Sequence, residues 1–217
     1  MNFMSKLLLS PDELLTTTRT VRKRLDLTRP VPMDLVRECL EVALQAPSGS
    51  NRQGWHWVVI TDEDSRRMIG DYYRQSVASY LKSPGSAAAL FADDPERSAV
   101  QRRVAESVAY LGEHMGEAPV LVIPCISAPR LRAGTQAGLW GSLLPAAWSY
   151  MLAARARGLG TAWTTLHLRY EKEISELLGI PSDIRHGALI PTAYYIGNSF
   201  KPAPRQSLDE VLHINSW

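Results

Sequence analysis

From Ala133 to Ala154 the chain carries no charged residue. A helix of that length could cross a bilayer. The run is interrupted, however, by Thr135, Gln136, three glycines, Pro145 and two serines, and its mean apolarity is too weak for a span exposed to lipid. It therefore reads as a buried helix of a water-soluble fold, predicted over Leu139 to Arg157. A helix that is apolar all round needs partners on every side, and a second subunit is one expected partner. Arg155 and Arg157 fall in its last turn, where cations favour the helix dipole, and Gly158 ends it.

The rest of the chain mixes periodicities. Ser10-Pro11-Asp12-Glu13 has a capping-box pattern opening a short helix to about Thr18. Leu35, Val36, Cys39, Leu40, Ala43 and Leu44 recur at helical spacing between Met33 and Gln45, ahead of Pro47. Trp55 to Ile60 predicts a strand, and Glu63 to Tyr80 a charged helix. Lys82 to Pro95 reads as a mobile loop or short irregular helix, the candidate lid. A polar helix from Glu96 to Gly112 leads to a buried strand over Ala118 to Ile126 and a loop over 127 to 138. Gly160 to Thr165 and Ala188 to Ile196 predict strands around a helix at Glu171 to Leu178. A proline-rich extended tail, Lys201 to Arg205, precedes a last short helix from Leu208 to His213. Helices and strands are interspersed without strict alternation, which predicts an α+β fold on a mixed central sheet rather than a doubly wound parallel one.

With 217 residues the chain can bury one substantial core, and no composition shift marks a boundary, so a single domain over 1–217 is expected. The formal charge of +2 is too small for bulk nucleic-acid binding. Cys39 and Cys125 lie apart in apolar surroundings, which excludes a CxxC pair or a zinc site and suits a reducing compartment. The leucines before Ser10 are too few for a signal-peptide core, so a cytoplasmic protein is expected. There is no GxGxxG after a strand, no GxxxxGK[ST], no HExxH and no GxSxG.

Two segments remain that can carry chemistry: Arg19-Thr20-Val21-Arg22, and Ala46-Pro47-Ser48-Gly49-Ser50-Asn51-Arg52-Gln53. Guanidinium groups and a hydroxyl suit a phosphomonoester, which needs charge-assisted and preferably bidentate donors. The second segment is a polar turn between a helix and an apolar strand. By themselves these residues also fit a solvated basic patch, a nucleic-acid contact, an ordinary turn at Pro47 and Gly49, and a local cap at Asn51.

Together with Pro30-Val31-Pro32, Arg157-Gly-Leu-Gly-Thr161 and Lys201-Pro-Ala-Pro-Arg205, the two segments resemble the ordered landmarks of the nitroreductase flavoprotein family over nearly the whole chain. The resemblance points most to actinobacterial members. It implies a nitroreductase-like fold in an intertwined homodimer with FMN at the interface. Arg19, Thr20 and Arg205 would hold the ribityl phosphate, and Arg22 would lie near the flavin pyrimidine edge as the catalytic cation. Pro47, Ser48 and Gly49 would approach the isoalloxazine from the partner subunit, with Asn51 and Gln53 bracing the turn. Thr164, Thr165 and Leu166 match the segment facing the flavin N5 edge, although the threonines also read simply as strand residues. The implied activity is ping-pong transfer from NADPH or NADH to a nitroaromatic, a quinone or a related small oxidant. No metal, nucleic acid or membrane is expected. Alternatives with the same fold are flavin storage, flavin cleavage and reductive dehalogenation; a nonenzymatic nucleic-acid module is a different class. Gly54 stands where the pattern usually has proline and Arg24 where it has an aromatic, and residues 80 to 135 match no motif, which leaves the substrate open.

Overall fold

The computed structural model describes residues 6–129 and 136–217. The predicted loop at 127 to 138 thus lies partly outside the described residues, as do its Arg130, Arg132 and Gly134.

The elements run in chain order α1 (Pro11–Thr17), α2 (Met33–Ala43), β1 (Trp55–Ile60), α3 (Glu63–Leu81), α4 (Pro95–His114), β2 (Val120–Ser127), α5 (Ala137–Ala156), β3 (Leu159–Thr161), α6 (Glu171–Leu178), β4 (Ile184–His186) and β5 (Ile190–Tyr194). The sheet order is β1-β2-β5-β3, with β4 also on β2. All paired strands are antiparallel, while Thr20 makes a parallel bridge to Thr161. The fold is α+β, and most elements match their predicted ranges.

Three expectations need correction. The predicted strand over Gly160 to Thr165 ends at Thr161 and resumes only as a bridge from Thr164 to Leu189. The final helix shrinks to a 3-10 turn at Leu208–Glu210, because its apolar residues pack on nothing: Leu208 is 67% exposed and Ile214 73%. Strand β4 was not anticipated; three residues are too few to show a period of two, and they pair because β4 precedes β5 along β2 in nearly the same register, which brings His186 opposite Cys125.

Alternation along the central strand builds a core on each side of the sheet. Leu121, Ile123 and Cys125 of β2 join Ile69, Tyr73 and Val77 of α3, Val108 and Leu111 of α4 and Ile174 of α6. Val120 and Val122 face the other way, toward Leu35, Val36 and Cys39 of α2 and Ala147, Tyr150 and Met151 of α5. The uncharged helix is therefore not buried all round. Its Leu143, Ala146, Ala147, Tyr150 and Met151 are buried, whereas Leu144 and Trp148 are more than one-third exposed. No helix among the described residues is long and apolar enough to cross a membrane.

One close approach locks α3 to the turn before β2. A Cβ on Gly70 would lie 2.7 Å from the Gly116 backbone nitrogen, and neighbouring Arg66 donates to the carbonyls of Gly116 and Ala118 at 3.1 and 2.8 Å. Gly70→Ala should gain a few tenths to about 1 kcal/mol of helix propensity but lose more to the backbone clash. We expect net destabilisation of about 1–3 kcal/mol in urea unfolding of the mutant against wild type.

Candidate functional site

Residues 19–24 cross from α1 to the sheet edge. The Val21 N–H donates to the Thr161 carbonyl at 2.8 Å, which holds the segment extended against β3 and buries Val21 and Leu25. The polar side chains between them are left at an open cleft of about 420 Å³, lined by Arg19, Thr20, Arg22, Lys23, Arg24 and Lys201, with Ser107, Ser199, Val21 and Phe200. That size suits a small-molecule site. Five cations and no carboxylate line it, the composition an anionic ligand requires.

Each cation is held differently. Arg19 Nη1 donates to the Lys201 carbonyl at 3.0 Å. Arg24 donates to the carbonyls of Ile196 and Ser199 at 2.7 and 3.0 Å and stacks over Phe200 at 4.2 Å, fastening the C-terminal segment down. An aromatic could pack there but could not donate to both carbonyls at once, which gives the Arg24 departure a structural purpose. Lys23 reaches Glu106 of α4 at 3.6 Å, with both side chains more than half exposed. Arg22 is half-buried, and its Nη1 donates to Ser107 Oγ at 3.2 Å. Among the described residues it has no ion-pair partner. Burial holds its pKa below the ordinary guanidinium range, while the nearby phenols of Tyr73 and Tyr80 act in the opposite sense.

Tyr73 links this cation to the second half of the site. Its hydroxyl meets Thr164 Oγ1 at 2.9 Å, and that oxygen accepts from the Leu166 N–H at 3.4 Å. Burial pushes the Tyr73 phenol up, against the hydrogen bond from Thr164 and the charge of Arg22, so it stays neutral. Thr164 is buried, Leu166 half-buried and Thr165 exposed. The next residue, His167, is fully buried, with neither ring nitrogen hydrogen-bonded and its ring stacked 5.6 Å from that of His186.

The Pro47 to Gln53 turn is assembled on the opposite layer. Ser48 Oγ accepts from the Gln53 N–H at 3.1 Å, and Gln53 Nε2 donates to Asn51 Oδ1 at 2.9 Å. The Gly49 N–H donates to Ser142 Oγ of α5 at 3.0 Å. Ser50, Asn51 and Gln53 adopt φ of 54°, 50° and 49°, left-handed values that cost non-glycine residues roughly 1–2 kcal/mol each. Such strain persists where the surroundings over-determine the backbone; here Ser48 and Asn51 supply the compensating bonds. Pro47 and Gly49 are exposed.

The turn's hydrogen bonds end within itself, on α5 and on β2; those of the arginine segment end on α4, β3 and the tail. One chain therefore brings Arg19, Thr20 and Arg22 into a cleft and ties Arg22 to Thr164 and Leu166 through Tyr73, but it leaves Pro47, Ser48, Gly49, Asn51 and Gln53 apart. Arg205 is exposed, donates to its neighbour's Pro204 carbonyl at 3.0 Å, and does not line the cleft; Lys201 does. Sequence reasoning did not single out Ser107 or Tyr73. Neither carries a local signal, since both are ordinary residues of amphipathic helices, whereas Lys201 opens a landmark already noted.

The Nitroreductase family model matches residues 15–194. Among relatives, a 4-nitrobenzoate reductase of Nocardioides sp. strain LMS-CY is 28% identical over 197 residues, covering 79% of this chain and 74% of that protein. An iodotyrosine deiodinase of Thermotoga neapolitana is 26% identical, covering 92% and 94%. Two solved structures superpose with a TM-score of 0.72: an iodotyrosine deiodinase bound to FMN and 3-iodo-L-tyrosine (21% identity, 95% and 99% coverage), and the FMN- and NADPH-dependent nitroreductase NfnB of Sphigopyxis sp. strain HMH (22%, 96% and 100%). A model match across most of the chain, over this α+β fold and its cationic cleft, makes the protein a member of the Nitroreductase family.

Proposed function

We propose that the protein is an FMN-dependent oxidoreductase that works as a homodimer, using NADPH or NADH as donor and a nitroaromatic, quinone or related small oxidant as acceptor. The observation that carries this reading is the cleft lined by five cations and no acid, with Arg22 half-buried and unpaired at its inner side. When bound, FMN supplies a two-electron carrier that can alternate between donor and acceptor, so no acid/base side chain of the protein is demanded.

The residues present fit that group. Arg19, Thr20 and Lys201 line the cleft as donors for a phosphate, and Arg205, four residues beyond Lys201 in the exposed tail, would join them on binding. Arg22 places a fixed cation for the negative charge that a reduced ring system develops, in surroundings too dry to screen it fully. We assign Thr164, Thr165 and Leu166 to the flavin N5 edge, beside Tyr73, whose hydroxyl meets Thr164 Oγ1 at 2.9 Å. The rigid turn from Pro47 to Gln53 is offered to a second copy, whose turn completes this chain's site in return. The half-exposed Leu144 and Trp148 of α5, beside that turn, are the apolar surface such a partner would cover. We read residues 1–217 as one such FMN-binding unit.

Reductive dehalogenation is the second reading, favoured by the Thermotoga neapolitana deiodinase, which aligns over nearly its full length. The test is the visible spectrum of the purified protein, taken anaerobically before and after NADPH, then NADH. A flavin spectrum that bleaches and returns on adding a nitroaromatic or quinone supports the oxidoreductase reading and names the donor. Flavin that ignores both nicotinamides but, once reduced by dithionite, is reoxidised by a halogenated phenol selects dehalogenation. Protein that stays colourless with added FMN refutes both.

The buried histidine pair gives a separate expectation. Burial, with His186 beside it, holds His167 down to about 3. A base with a depressed native pKa destabilises the fold as pH falls below its unfolded value near 6.5, because only the unfolded chain then takes up the proton. Stability from His167 is complete above pH 6.5 and should fall by about 1.4 kcal/mol per pH unit toward pH 3. His167→Leu removes two unpartnered ring nitrogens and should stay near wild type at pH 7.5. Urea titrations between pH 7.5 and 5 should show a flatter slope for the mutant.

A further inference from the structure

We infer that Ser107 of α4 is a positioning residue for Arg22, an anchor that fixes the guanidinium without neutralising it. The inference rests on the reading of the cleft as a flavin site. The Ser107 hydroxyl donates to the Val104 carbonyl at 2.8 Å, which spends its hydrogen on its own helix and leaves oxygen lone pairs for Arg22 Nη1 at 3.2 Å. The orientation is therefore set by α4, not by rotation of a free hydroxyl.

Among the described residues the other polar link between these segments is the Lys23–Glu106 pair, too exposed to contribute more than a fraction of a kcal/mol; the remaining contact is apolar, Val21 and Leu25 sharing a core with Val108 and Leu111. Ser107 thus carries the defined contact between α4 and the arginine segment. A carboxylate at 107 would hold Arg22 more strongly, but would cancel the charge that makes it useful beside a reduced ring. A neutral acceptor holds the geometry and preserves the field. Helix α4 lies in the stretch from 80 to 135 that carries no recognisable motif, and this contact gives it a part in the site.

The experiment compares the midpoint potential and the Kd of bound FMN in wild type, Ser107→Ala, Ser107→Thr, Ser107→Asp, Arg22→Ala and the Ser107→Ala/Arg22→Ala double mutant. A loose Arg22 should lower the preference for reduced over oxidised FMN by three- to tenfold in Ser107→Ala, a fall of about 15–30 mV for a two-electron couple. Ser107→Thr keeps the hydroxyl and should stay within twofold of wild type. Ser107→Asp should fall as far as Arg22→Ala, and the double mutant should equal Arg22→Ala alone, as expected when one residue acts through the other. A Ser107→Ala potential equal to wild type, with Arg22→Ala shifted, overturns the inference and leaves the flavin reading standing. Additive effects in the double mutant overturn it as well. A wild-type protein that binds no FMN overturns both.

Discussion

Arg22→Ala should keep most of its FMN and lose most of its rate. The side chain is half-buried, donates to Ser107 and has no acidic partner among the described residues, so its charge is uncompensated in the resting protein. Such a charge costs stability through desolvation and is retained where opposite charge develops during turnover. Loss of one preorganised donor of this kind typically costs roughly 10²–10³ in rate. We expect stopped-flow reduction by the preferred nicotinamide to slow by about 10²-fold, with FMN affinity weakened tenfold or less. Without FMN, Arg22→Met should melt higher than wild type, because removing a half-buried cation that has no acidic partner among the described residues relieves the fold. The phosphate-end variants should behave in the reverse way: Lys201→Ala and Arg205→Ala weaken FMN binding and leave reduction of the saturated enzyme near normal. Equal effects of Arg22→Ala and Arg205→Ala on flavin-saturated reduction would remove the distinction between the two roles.

The second large effect is complementation between two inactive variants. Gly49→Phe should abolish activity without unfolding the chain that carries it. A Cβ at Gly49 meets nothing closer than Ser142 Oγ at 3.5 Å, so its own fold tolerates a side chain, while in the proposed dimer the exposed turn would face the partner's flavin. Arg22→Ala damages the other half of each site. If every site takes its arginine segment from one chain and its turn from the other, mixed dimers contain one intact site and one doubly damaged site. Random exchange makes about half of the dimers mixed, so roughly a quarter of wild-type activity should return in the unfractionated pool and roughly half in a fraction that holds mixed dimers alone. Co-expression with two different tags and assay of the doubly purified fraction would measure this. Activity no higher than the average of the two parents would mean that each site lies within a single chain, and that the turn serves another purpose.

Much of the framework was legible in local patterns. The capping box at Ser10 and Glu13 forms as expected, the side chain of each meeting the other's backbone. Helices α2, α3 and α6 and strand β1 begin and end close to where periodicity and Pro47 place them. These signals survive because they depend on spacing along the chain and on backbone chemistry, which tertiary contacts did not override. The failures are equally specific. A three-residue strand such as β4 has no period to read, and the apolar residues after Ser207 mimic a helix without a surface to pack on. Arg19, Thr20, Arg22 and Lys201 stand in two of the landmarks read from the sequence, and the structure places all four at one cleft.

Sequence alone determined which side chains were available, namely guanidinium groups, a polar turn and an uncharged helix, because residue type and near-neighbour spacing decide local conformation and charge. Tertiary structure alone decided their company. It set Ser107 and Tyr73 against Arg22 across 85 and 51 positions of chain, replaced Arg205 by Lys201 at the cleft wall, and put the turn from Pro47 to Gln53 on the opposite layer from the arginines. Contacts of that kind depend on how two cores pack against the faces of one sheet, a long-range outcome that no stretch of residues encodes by its own spacing.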